Sequence, residues 1–160
     1  MQQPLLRSIL KDQELCNVFE EFLVQRLCWE NLSFCQEVDH FKTCSEDVRP
    51  NVASEIFHSF VKAGAPLEIG DSNIYFEESI EPLLAKAPAT LFDQLQEITF
   101  RNLAATSVQP FLRGNLYRKY QEHVLGASKP KPKPKLSRLS SSANSLQIPL
   151  LAQVSRRLSR

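Results

Sequence analysis

His40 and Cys44 stand four residues apart, a spacing that sets two side chains on one face of a helix. An imidazole beside a thiol is the donor set of a zinc site, or of a cysteine nucleophile with its base. A structural zinc needs four ligands, however, and His58 and His123 stand apart from this pair. The four cysteines, Cys16, Cys28, Cys35 and Cys44, contain no C-x-x-C, and no glycine-rich elbow accompanies them, so the residues assign no metal, no cofactor and no catalytic group. They fall within a hydrophobic helical pattern, where reduced core thiols are expected. Glu30 and Asn31 offer a different chemistry. A carboxylate accepts hydrogen bonds and an amide both donates and accepts, so the pair is equipped to bond backbone amides and hydroxyls of a mobile partner segment. An acidic residue also suits the first turn of a helix, and the residues by themselves favour that simpler role. Near the C-terminus, Arg138-Leu139-Ser140 and Arg156-Arg157-Leu158-Ser159 place basic residues just before Ser140 and Ser159. This is the pattern of basophilic kinase sites, and also one that chance produces in any basic stretch.

The elements that must position these groups read as helices. From Asp12, an expected N-cap, the residues Leu15, Val18, Phe19, Phe22 and Leu23 form one apolar stripe. Asn31 to Lys42 puts Phe34, Val38 and Phe41 on one face, with Leu32 and Cys35 alongside, and Trp29 precedes it as a core or helix-start residue. Ser45 to Pro50 reads as a loop, after which Val52, Ile56, Phe57, Phe60 and Val61 repeat the stripe until Gly64 and Pro66 stop it. Residues 64–73 hold turn formers and lead to a shorter helix around Tyr75 to Leu84. Thr90 with Asp93 reads as a capping box for a helix through Phe92, Leu95, Ile98 and Leu103, and Pro110 with Leu112, Leu116 and Tyr120 opens a last one. No segment sustains a β alternation, so the class is all-α, a bundle with several short connections.

Composition divides the chain in two. Residues 1–126 carry all 18 acidic residues against 11 Lys and Arg, a net charge of −7, while 127–160 carry 8 basic residues and no acidic one. The first part is expected to be the helical domain. In the second, Ser128 to Lys135 alternates Lys and Pro, which favours an extended spacer, and Ser137 to Ser145 is Ser-rich, so this basic tail is expected to be disordered. Over 149–159, Leu150, Leu151, Val154 and Leu158 share one face beside Arg156 and Arg157, a short amphipathic helix able to form on a partner or an anionic membrane. No run approaches the roughly 20 apolar residues of a membrane span, and the start MQQPLLRSIL lacks the basic beginning and apolar run of a signal peptide. An intracellular, cytoplasmic protein is expected, with no nucleic-acid partner.

Phe19-x-x-Phe22-Leu23, then Trp29-Glu30-Asn31-Leu32-x-Phe34, then Phe41-Lys42 resembles the core signature of RGS domains, regulators of G-protein signalling. Ile56-Phe57, Ala65-Pro66 before the Ile69 loop, Phe92-x-x-x-Gln96 and Ser107-x-x-x-Phe111-Leu112 continue it in order, so that the likeness covers about residues 8–120. The resemblance implies a bundle of about nine helices in two subdomains. It also implies a domain that grips the switch regions of a Gα subunit and speeds GTP hydrolysis by positioning them, while making no bond itself. Such a domain is a cytosolic module, and the basic tail is what would bring it to the cytoplasmic face of the plasma membrane.

Carried over by position, Glu30 and Asn31 match the family's Gα-contacting Glu-Asn pair. The loop 68–72 matches the segment that holds a second Asn, and here Gly70 occupies that place, with Asp71 and Ser72 beside it. Where the family carries Asp-Ser and then Arg, this chain has Thr106, Ser107 and Pro110, and Asn102 stands where a family leucine packs on the switch. The expected Gα-binding set is therefore Glu30, Asn31, Gly70, Asp71, Ser72, Asn102, Thr106 and Ser107. These departures also keep open a second reading, an RGS-like scaffold that binds Gα or another signalling partner without stimulating hydrolysis.

Overall fold

Leu6 and Ile9, Phe19 and Leu23, and Phe34, Val38 and Phe41 lie three or four residues apart and are all buried. Each stretch therefore winds into a helix whose one stripe meets a neighbour. In the computed structural model, which describes residues 2–127, the order is α1 (Gln3–Lys11), α2 (Gln13–Gln25), α3 (Glu30–Thr43), α4 (Arg49–Ile56), α5 (Ile74–Ile80), α6 (Asp93–Leu112) and α7 (Asn115–Ala127). A π-helical turn, Phe57–Val61, continues α4, and a 3-10 turn, Glu81–Leu83, continues α5. The all-α expectation holds: among the described residues there are seven α-helices and no strand. None of these helices is long and apolar enough to cross a membrane. The expected 149–159 helix, Ser140 and Ser159 lie outside the described residues.

Side chains gather into two hydrophobic clusters within one compact unit. One joins Phe34, Val38 and Phe41 of α3 to Ile56, Phe57, Phe60, Ile69, Phe76, Ile80, Phe92 and Leu95. The other joins Leu6 and Ile9 to Phe19, Leu23, Leu32, Leu103, Val108 and Phe111. Aromatic edges interlock in each, Phe41 on Phe92 at 5.3 Å and Phe19 on Phe111 at 5.0 Å between ring centres. α6 feeds both, and its Phe100 packs against both. With 20 residues α6 is about 30 Å long, enough to run from one cluster to the other.

Several expectations at helix ends are corrected. Asp12 does cap α2, its Oδ1 accepting from the Leu15 N–H at 2.9 Å. The capping box at Thr90 does not form: Thr90 accepts the Asp93 N–H through its backbone carbonyl, the N-cap position falls to Phe92, and no side chain caps it. The Asp93 carboxylate is engaged instead by Lys42, 2.7 Å away. Pro110 does not open the last helix but lies inside the final turn of α6, where its missing N–H removes the bond that the Thr106 carbonyl would otherwise accept. The chain reverses at Gly114, whose N–H donates to the Phe111 carbonyl at 2.9 Å. A Cβ at this glycine would sit 3.1 Å from that oxygen and 3.3 Å from the Pro110 oxygen. Trp29 occupies the N-cap position of α3 and is 40% exposed, so it is not a core residue. α1 was not foreseen as a separate helix.

Candidate functional site

The corner between α2 and α3 is built by a tight reversal. Leu27 takes a left-handed φ of 54° and is 87% exposed, and the chain re-enters a helix at Glu30 without any side-chain cap. Asn31 closes this corner from within, its Nδ2 donating to Glu30 Oε1 at 3.0 Å and to the Cys28 carbonyl at 3.4 Å. One Glu30 oxygen is thus held by its neighbour, and both side chains are half-buried. Val24, Leu27 and Trp29, all exposed, surround the pair with apolar surface that no helical stripe requires.

The 64–73 loop is fastened to the π-helical turn. That turn closes with the Lys62 N–H on the Phe57 carbonyl, five residues back, and its wider bore turns Phe57, Phe60 and Val61 all inward. Leu67 and Ile69 donate their N–H groups to the Ser59 and Phe60 carbonyls at 3.0 Å each, and the Ile69 side chain is buried as a peg. The Ser72 hydroxyl donates to the Val61 carbonyl, so this side chain is used by the fold. Asn73 then caps α5, accepting from the Tyr75 and Phe76 N–H groups. Between Ile69 and Ser72 the tip is formed by exposed Gly70 and half-buried Asp71. The Asn102 amide of α6 donates to Asp71 Oδ1 at 2.6 Å.

α6 carries the remaining residues. Thr106 Oγ1 donates to the Asn102 carbonyl at 2.9 Å and lies 3.4 Å from Ser107 Oγ. Ser107 is 2% exposed, so it supports the surface from beneath. Its hydroxyl meets the Cys28 thiol, which burial and then the Glu30 charge push up, against the opposing effect of Arg26 and of that hydroxyl. Two linked sets result: Glu30, Asn31 and the Cys28 carbonyl at the corner, and Ser107, Thr106, Asn102 and Asp71 along α6 and the loop. The structure gathers the expected residues into one surface, with Ser72 facing into the fold and Gly70 contributing backbone only. The Asp71–Asn102 bond and the apolar corner at Leu27 were not foreseen. The crowding of Val24, Leu27 and Trp29 around a polar pair was the available signal for the corner.

Other groups that could do chemistry lie elsewhere. His40 Nε2 and Cys44 Sγ are 3.8 Å apart, and among the described residues no group of three or more His, Cys, Asp or Glu is placed to hold a metal ion. A cleft of about 430 Å³ between α1, α3 and α6 is lined by Arg7, Asp39, Lys42, Asp93, Gln96 and Phe100. Its polar groups satisfy one another: Lys42 contacts Asp93 and Gln96 at 2.7 Å each, Gln96 donates to Asp39 and to the Cys35 carbonyl, and Arg7 stacks over Phe100. It is a clamp holding α3 to α6.

The family profile described as "Regulator of G protein signaling domain" matches residues 5–120. Human regulator of G-protein signaling 1 is 29% identical over 112 residues, covering 70% of this chain and 53% of its own length. Human regulator of G-protein signaling 21 is 30% identical over 115 residues, covering 70% of this chain and 74% of its own. Developmental regulator flbA of Emericella nidulans is 29% identical over 146 residues, 74% of this chain and 20% of its own length. The chain thus spans about half the length of the first of these relatives.

Proposed function

Because the chain belongs to the regulator of G-protein signalling family, whose profile spans residues 5–120, we propose that it binds the switch regions of a Gα subunit and accelerates GTP hydrolysis there. The observation that supports this reading best is the pair of hydrogen-bonded sets, Glu30 with Asn31 at the α2–α3 corner and Asp71 with Asn102 between loop and α6, which fix side chains of the expected contact residues in place. A surface held in this way speeds a reaction by holding a partner's mobile loops in their reactive arrangement, without supplying a nucleophile or a base. Glu30 and Asn31 act as acceptor and donor towards the switch backbone, and the 70–71 tip and Asn102 meet the neighbouring switch. The domain makes and breaks no covalent bond.

The test is single-turnover GTP hydrolysis by a panel of purified Gα subunits with the full chain. Acceleration is expected and is expected to vanish in the Glu30→Ala, Asn31→Ala double variant; equal acceleration by that variant would overturn the assignment of the contact pair. A second reading has specific support of its own. Gly70 lacks a side chain, Ser72 spends its hydroxyl on Val61, and Pro110 has no charge to brace the surface. These favour a scaffold that binds Gα without stimulating it. Binding without acceleration across the panel would select this alternative.

The +8 charge of residues 127–160 supports attachment to the anionic cytoplasmic face of the plasma membrane. Phosphates on Ser140 and Ser159 would subtract charge and weaken it. Deleting residues 128–160 is expected to abolish sedimentation with anionic vesicles, and unchanged sedimentation would refute the attachment.

A further inference from the structure

The 64–73 loop has its flanks fastened, its tip closed as a turn by the Ser72 N–H on the Ile69 carbonyl at 3.0 Å, and one side-chain tie from that tip to α6. Leu67, Ile69 and Ser72 are bonded to Ser59, Phe60 and Val61, all on the π-helical side. Gly70 has no heavy atom within 4 Å of where a Cβ would stand, so this position faces open space. Asp71 is the residue that ties it to α6, through the 2.6 Å bond from Asn102. The amide must present its nitrogen here, because the flipped orientation would set two oxygens at that distance. A bond to an ionised acceptor is about twice as strong as a neutral one. Among the described residues no ion pair competes for Asp71. The same Asn102 offers its carbonyl to Thr106, so the tie is continuous with the rest of the surface.

We propose that Asp71 and Asn102 are a positioning pair that holds the loop tip against α6 in the shape its partner binds, presenting the bare backbone at Gly70. The identity of that partner rests on the Gα reading above. In a chain whose tip carries no side-chain amide at Gly70, backbone groups are what the tip has to offer. They are useful only if the tip is already ordered, since ordering deferred to the encounter is subtracted from affinity.

The experiment compares the full chain with Asp71→Ala, Asn102→Ala, the double variant, and the swap Asp71→Asn with Asn102→Asp. Three quantities are read: amide exchange of residues 70–73 in the free protein, Tm, and the concentration giving half-maximal binding to a Gα subunit loaded with GDP and aluminium fluoride. Each single Ala variant is expected to speed exchange at the tip and to raise the half-saturating concentration about five-fold, about 1 kcal/mol, with Tm little changed. The double variant should be no worse than either single one, and the swap should recover both exchange protection and affinity. Unchanged tip exchange in every variant, or losses that add in the double variant, would overturn the pair. If the unaltered chain binds no Gα, the functional reading falls, and tip exchange alone then decides whether the bond orders the loop.

Discussion

Gly70 stands in open space with an ordinary backbone conformation, so the fold itself does not require a glycine there. Asn at this position meets no atom and places an amide at the loop tip. Gly70→Asn is therefore expected to leave stability within about 0.5 kcal/mol of the parent and to increase stimulation of Gα GTPase measured in single turnover. The backbone at position 70 stays available beside the added amide; a fall in stimulation with Tm unchanged would mean that the new side chain blocks it. Glu30 and Asn31 were legible in the sequence because their signature is local, two adjacent residues in a fixed relation to Phe19, Phe22 and Phe34. The Asp71–Asn102 bond was not, since a pairing 31 residues apart leaves no trace in spacing or periodicity. The burial of Ser107 was hidden for the same reason: which side of α6 faces the Cys28 corner is settled by packing across elements.

At the scale of elements, apolar stripes made α2, α3 and α4 legible, because burying one face demands a period near 3.6. The failures have physical causes. α1 has only nine residues with Pro4 in its first turn, too short for a stripe to stand out. The π-helical turn adds one residue to a hydrogen-bonded ring, and Val52 to Val61 reads the same with or without it. The sequence reads Pro110 as a helix start, whereas the break falls at Gly114, where a Cβ would crowd two carbonyl oxygens at 3.1 and 3.3 Å. Those oxygens belong to helix backbone and cannot yield cheaply. Gly114→Ala is accordingly expected to cost about 1 kcal/mol net of its smaller unfolded-state entropy, read by urea denaturation. An unchanged midpoint would show that the α6–α7 corner relaxes.

For the whole molecule, the division of charge into −7 and +8 parts was plain from sequence, whereas the way the cores share α6 was not. Cys35, buried on α3, has its thiol pushed up to about 12, chiefly by burial, with the Asp39 and Asp71 charges adding and Lys42 opposing. In the unfolded chain this thiol ionises near 9.0. The native state thus keeps a proton that the unfolded state releases, and its contribution to stability is intact below pH 9 and lost as pH rises towards 12. The full loss is on the order of 4 kcal/mol. Cys35→Ala should flatten the decline of Tm with pH across that window; parallel curves would contradict the assignment. The shared helix has one more consequence, in the order of events on the ribosome. Both clusters draw on α6, which leaves the exit tunnel after α1 to α5. Neither cluster is complete until those later residues emerge, so the domain finishes its packing late in its own synthesis.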